Sequence, residues 1–126
     1  MLKHNEITEK ILKGFYEVYN ELGRGFLESV YQNALTLLLR EYGLSVKTQE
    51  ELNVHFHGQL VGVFRADMIV EGKVLLELKA VRSLDTVHEA QLLNYLKATG
   101  IEIGLLLNFG NTPEFKRRVF NTLKSV

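Results

Sequence analysis

Cysteine and tryptophan are absent from the 126 residues, and proline occurs once, as Pro113. Without cysteine there is no disulfide framework, no thiol nucleophile and no cysteine-ligated zinc or iron–sulfur centre. No uncharged apolar run approaches the roughly 18 residues that a membrane-spanning helix requires. The first residues, MLKHNEITEKIL, lack the apolar stretch of a secretory leader, so a cytoplasmic location is expected. Charge of one sign is missing too. Fifteen Lys and Arg balance fifteen Asp and Glu, so the chain has no global electrostatic footprint of a dedicated nucleic-acid binder, and any such binding needs a locally basic patch. There is no Gly/Ser-rich linker, charge block or internal repeat. What remains is 46% hydrophobic and 24% charged, the composition of one globular domain spanning residues 1–126.

Apolar spacing divides the chain. Ile7, Ile11, Phe15, Val18 and Leu22 predict a helix over 5–22, broken by Gly23 and Gly25. A second helix is expected over 26–42, with Leu27, Val30, Tyr31, Ala34, Leu35 and Leu38 on its apolar face and Gly43 at its end. The period then shortens. Strands are expected over 46–56, 60–70 and 74–81, the last two joined by Glu71-Gly72-Lys73. Helical spacing returns over 85–99, with Ser83 or Asp85 as cap, and a fourth strand follows over 101–109. Pro113 suits the first turn of a closing helix, on which Phe115, Val119 and Leu123 would form the buried stripe. The order α-α-β-β-β-α-β-α predicts an α/β fold: a mixed sheet with helices on its faces, its last strand added in parallel through a helical crossover.

One feature of the third strand points to chemistry. Leu75-Leu76-Glu77-Leu78-Lys79-Ala80-Val81 carries an acid and a base inside the most apolar stretch of the chain. Residues i and i+2 of a strand share a face, so Glu77 and Lys79 project together. Burying either charge alone is costly, so both need partners or a ligand. With a three-residue hairpin loop at 71–73, Val70 faces Val74 and Asp67 falls opposite Glu77; a two-residue loop would put the acids on opposite faces. The three-residue loop is expected, with Gly72 at positive φ. Two converging carboxylates beside a lysine suit a hard divalent cation, which takes one or two carboxylates and leaves room for substrate phosphate. The competing reading is a structural ion-pair cluster.

Other candidates are weaker alone. His88, Gln91 and Tyr95 lie on one helical stripe, which is also what a solvated face looks like. Glu28 falls in the first turn of its helix, where the dipole favours an anion, and Tyr31 one turn on reads as a core aromatic with a bonded hydroxyl. The C-terminal segment carries Lys116, Arg117, Arg118 and Lys124 against Glu114. As the most basic helix it is the expected grip on nucleic-acid phosphates, with a solvated surface face as the alternative.

Together these residues resemble a family. Gly25-Phe26-Leu27-Glu28-Ser29-Val30-Tyr31 matches the Gly-x-x-Glu-x-x-Tyr signature of the GxxExxY proteins. The likeness continues through Phe64-Arg65-Ala66-Asp67, Leu76-Glu77-Leu78-Lys79-Ala80-Val81, the stretch from His88 to Leu96, and Asn108-Phe109-Gly110. That family is grouped with the PD-(D/E)xK nuclease superfamily, whose core is α-β-β-β-α-β and restriction-endonuclease-like. The resemblance implies that Asp67 and Glu77 bind Mg²⁺ or Mn²⁺, that Lys79 assists the hydrolytic water and that Glu28 completes the metal site. Gln91 and Tyr95 look like the Gln-x-x-x-Tyr element of RecB-like members, which supports the site or contacts nucleic acid. Ala66 stands where the superfamily's motif name has proline. The resemblance thus implies a metal-dependent nuclease acting on DNA or RNA; the alternative is an inactive nuclease fold used as a binding or assembly module. A homodimer is compatible with so small a chain.

Overall fold

Amphipathic spacing in the first forty residues produces a helical pair, and the shorter period that follows produces a sheet. The computed structural model describes residues 4–121. Its elements are α1 (Asn5–Leu22), α2 (Glu28–Glu41), β1 (Val46–Phe56), β2 (Gln59–Val70), β3 (Val74–Lys79), α3 (Thr86–Thr99), β4 (Ile103–Phe109) and β5 (Pro113–Val119). The strands lie side by side in chain order, β1-β2-β3-β4-β5. β3 and β4 are parallel through the α3 crossover, and the other neighbours are antiparallel. This is the expected α/β mixed sheet with helices on both faces.

Two apolar clusters hold the layers. Ile11, Phe15 and Val18 of α1 and Tyr31, Leu35 and Leu39 of α2 pack on Met68, Val70, Leu76, Leu78, Leu105 and Leu107. On the opposite face Leu92 and Leu96 of α3 cover Ala66, Ile69, Leu75 and Leu106. Alternate residues of β3 and β4 therefore go to opposite clusters, which is why both strands read as unbroken apolar runs. Among the described residues, no helix is long and apolar enough to cross a membrane.

The hairpin has the expected register: Val70 pairs with Val74 and Met68 with Leu76. Gly72 has φ 64°, and Glu71 shares the left-handed region at φ 56°, held by hydrogen bonds from its N–H to Ser45 O and from the Ser45 N–H to Glu71 Oε2. α2 starts at Glu28, two residues later than its spacing suggests, because the Phe26 N–H donates to the Tyr31 hydroxyl and keeps that segment out of the helix.

The end of the chain differs from expectation. Residues 113–119 form strand β5 and no helix, pairing from Phe109↔Pro113 to Ile103↔Val119. Phe115 and Val119 stand four apart, which fits a helix, but with Arg117 between them they fit a period of two equally well. Proline at the first residue of an edge strand removes no ladder hydrogen bond that the sheet needs, and β5 covers what would otherwise be the bare edge of β4, a strand buried along its whole length. Phe115 packs on the α1–α2 cluster while Val119 stays 49% exposed, so the expected helical stripe does not exist. Leu123 and Lys124 lie outside the described residues.

Candidate active site

The β2–β3 ladder ends at Met68↔Leu76, and the two acids take over from there. The Asp67 N–H donates to Glu77 Oε1 at 3.2 Å, and the Leu78 N–H donates to Asp67 Oδ2 at 2.8 Å. Each carboxylate accepts a main-chain N–H from the opposite strand, where a regular ladder would offer a carbonyl. The strands splay at this point, and the acids interlock across the gap.

A kink in β2 explains the splay. Met68 and Val70 face the α1–α2 cluster, so uninterrupted alternation would put Ala66 there too; instead Ala66 belongs to the α3 cluster. β1 changes face in step, with Val46 in one cluster and Leu52 packed against the other. Between them the pairing skips from Thr48↔Met68 to Glu50↔Ala66, and Gln49 adopts φ 51°, an uncommon conformation for a residue other than glycine. The ribbon thus crosses from one face of the sheet to the other at Gln49 and Asp67.

Burial pushes the Glu77 carboxyl up to about 8, and the charge of Asp67 adds to the rise. The Asp67 N–H and the Lys79 ammonium oppose it. Glu77 is only 7% exposed, so at neutral pH its carboxyl holds a proton beside Asp67. A cation between the two would displace that proton. Lys79 is half-buried at the end of β3, pairs with Asn108 of β4 and lies on the same strand face as Glu77.

The kink brings in a residue that the sequence did not single out. Gln49 Nε2 lies 3.4 Å from Asp67 Oδ1 and donates to Gln32 Oε1 on α2 at 2.8 Å. Glu28 stands one turn before Gln32, exposed in the first turn of α2. Through Gln32 and Gln49, α2 is tied to Asp67. Among the described residues no group of three or more His, Asp or Glu side chains that could hold a metal is found, and the carboxylates that hydrogen bonds bring together are those of Asp67 and Glu77.

α3 approaches from the other face. Tyr95 stacks on Phe64 with centroids 4.0 Å apart. Burial, then the charges of Glu77 and Asp67, push its hydroxyl above the ordinary phenol range, opposed by a hydrogen bond with Gln91. The charges of both acids thus reach Tyr95, and Gln91 is bonded to it. His88 does something else: its Nδ1 accepts the Asp85 N–H while Asp85 Oδ1 accepts the Val87 N–H, which caps α3. Tyr31 is fully buried, stacked on Phe109, and its hydroxyl donates to Gly23 O at 2.6 Å. It fixes the loop before α2.

The basic segment is dispersed by its strand conformation. Lys116 and Arg118 take the α3 side and Arg117 the other, since their partners are Leu106, Gly104 and Leu105 in turn. Arg118 is ion-paired to Glu89 of α3. Among the described residues Lys116, Arg117 and Arg118 therefore do not share one face, and the expected helical row does not form there.

The fold recurs in known structures. The chain superposes on the protein SSO0001 with a TM-score of 0.52 at 19% identity, covering 90% of this chain and 77% of that one. A candidate exonuclease from Eubacterium rectale aligns at TM-score 0.44 and 14% identity, covering 93% of this chain and 58% of that one. None of the curated proteins matches the sequence. The sequence pattern of the PD-(D/E)XK nuclease superfamily matches residues 5–119, which include every residue of the interlocked pair and its surroundings, and the chain belongs to that superfamily.

Proposed function

We propose that the protein is a metal-dependent phosphodiesterase that hydrolyses DNA or RNA, with Asp67 and Glu77 holding Mg²⁺ or Mn²⁺ and Lys79 acting on the attacking water. The observation that carries this reading is the interlocked acid pair. Burial and mutual repulsion keep a proton on Glu77, a state that a cation would relieve. The donors are hard oxygens, and two carboxylates match the few protein ligands that Mg²⁺ commonly takes. When bound, the cation offsets the negative charge that builds on the phosphate.

The remaining work falls to the chain. Water attacks phosphorus as the bond to the leaving sugar oxygen breaks; the attacking water gives up a proton to solvent, and the leaving oxygen takes one from solvent. Lys79, on the face of Glu77, offers three N–H donors to orient that water and a positive charge for the transition state. Tyr95 and Gln91 border the same space from α3, and Gln49 supports Asp67 from β1.

Purified protein incubated with Mn²⁺ and labelled single- and double-stranded DNA and RNA should cleave at least one substrate. Chelator should stop it, and Asp67→Asn should lack it. No cleavage of any substrate, with no metal bound, is the result of a nuclease fold serving as a binding module.

A further inference from the structure

A cleft of about 620 Å³ opens at the carboxyl ends of β3 and β4. Its walls are the α1–α2 loop at 24–26, the β3–α3 loop at 80–82 and the β4–β5 turn at 109–111. It begins at Ala80, the residue after Lys79. Two arginines line it, Arg24 and Arg82, and no carboxylate does. In a chain of zero net charge such a pair is a local excess. Arg24 donates to Asn111 Oδ1 at 3.1 Å, which holds it across the cleft. Arg82 makes no hydrogen bond or ion pair within the described residues.

The walls are fixed by buried groups. Asn108, fully buried, accepts the Val81 N–H and donates to Val81 O, both at 2.9 Å. A Cβ at Gly110 would lie 2.0 Å from that same carbonyl, so only glycine permits the approach. The Tyr19 hydroxyl lies 2.8 Å from Gly110 O and 2.9 Å from Asn111 O, and donates there. Tyr31 ties Gly23 and Phe26 on the third side, where Gly25 holds φ 107°. None of these bonds serves the acid pair. They fix the backbone from which Arg24 and Arg82 line a polar space, and guanidinium groups there suit a tetrahedral oxyanion.

We propose that this cleft is a phosphate-binding subsite, in which Arg24 and Arg82 hold a phosphate of the nucleic-acid strand next to the one cleaved beside Lys79. The nucleic-acid part rests on the nuclease reading; the phosphate part does not. The phosphate comes either from a strand's 5′ end or from its interior.

The test is a ¹⁵N NMR titration of the whole protein without divalent metal, using inorganic phosphate, then a 5′-phosphorylated single-stranded decamer and its 5′-hydroxyl twin. Saturable shifts at the Gly25, Arg82 and Gly110 amides are expected with phosphate and with the decamer. Arg82→Ala, which breaks no internal bond and should keep the wild-type melting temperature, should weaken both about fivefold or more, and Arg82→Lys should restore part of the loss. Tighter binding of the phosphorylated decamer assigns the subsite to a strand end; equal binding assigns it to an internal phosphate. No saturable shift at these amides, or equal affinity in Arg82→Ala, overturns the subsite. Shifts with phosphate but with neither decamer overturn its role in nucleic-acid binding. Because no cleavage is read, a failed nuclease assay leaves these outcomes intact.

Discussion

Lys79→Ala is expected to lower cleavage about a hundred- to a thousandfold, the loss typical of removing one positioned transition-state donor. The KM for nucleic acid should change little, because the ammonium acts on charge that develops during the reaction and not on the bound strand. The side chain is half-buried at the end of β3, so alanine there leaves no deep cavity, and an unfolding curve run beside the assay checks this. The lysine has a second effect, through Glu77. Its charge holds the Glu77 carboxyl below the value that burial alone would set. Lys79→Ala should therefore also move the acid limb of the pH–rate profile to higher pH, whereas a residue that acts only on the water would leave that limb in place. Lys79→Arg, keeping the charge, should restore the limb while recovering only part of the rate. Equal activity in wild type and Lys79→Ala would put the chemistry elsewhere.

Millimolar Mn²⁺ should raise the melting temperature by about 10 °C once the free ion exceeds its Kd roughly a hundredfold, since binding to the folded state alone contributes about 2.7 kcal/mol. Asp67→Asn should abolish the shift. The shift should also depend on pH, with a definite sign. In the folded protein Glu77 loses its proton only near pH 8, and the cation needs the carboxylate. At pH 6 proton and metal compete, so the shift shrinks; at pH 8.5 it is at its largest. Without metal the trend reverses. The folded state binds more protons than the unfolded chain between the ordinary glutamate value and about 8, so metal-free stability falls as pH rises through that window. A melting temperature unchanged by Mn²⁺ at pH 8.5 would count against any metal between these acids.

Local rules carried the acid pair. The hairpin needed only a loop length, and once Val70 faces Val74 the partnership of Asp67 and Glu77 is arithmetic. That each acid would accept a main-chain N–H from the other strand was not legible, because it depends on where the ladder stops. Gln49 was hidden for a related reason. Its place beside Asp67 follows from a kink shared by two strands, and a single-strand period cannot register a ribbon changing faces. Its only sequence signal was its position opposite Asp67 in a β1–β2 pairing. β5 departs from the helix its sequence suggests because a helix-compatible proline precedes residues whose spacing suits both periods; the unfilled edge of β4 decides the matter, and that is a property of the assembled sheet. Glu28 stands out by its signature, and the contacts that join its helix to Asp67 run through Gln32 and Gln49.

The most direct test is a crystal of the protein soaked in Mn²⁺ at pH 8.5, with anomalous data collected near the manganese edge. The account predicts a peak within coordination distance, about 2.0–2.3 Å, of carboxylate oxygens from both Asp67 and Glu77, with the Lys79 ammonium facing the same space. An ordered protein with no anomalous peak between those two carboxylates, or with manganese bound only at other residues, would contradict it.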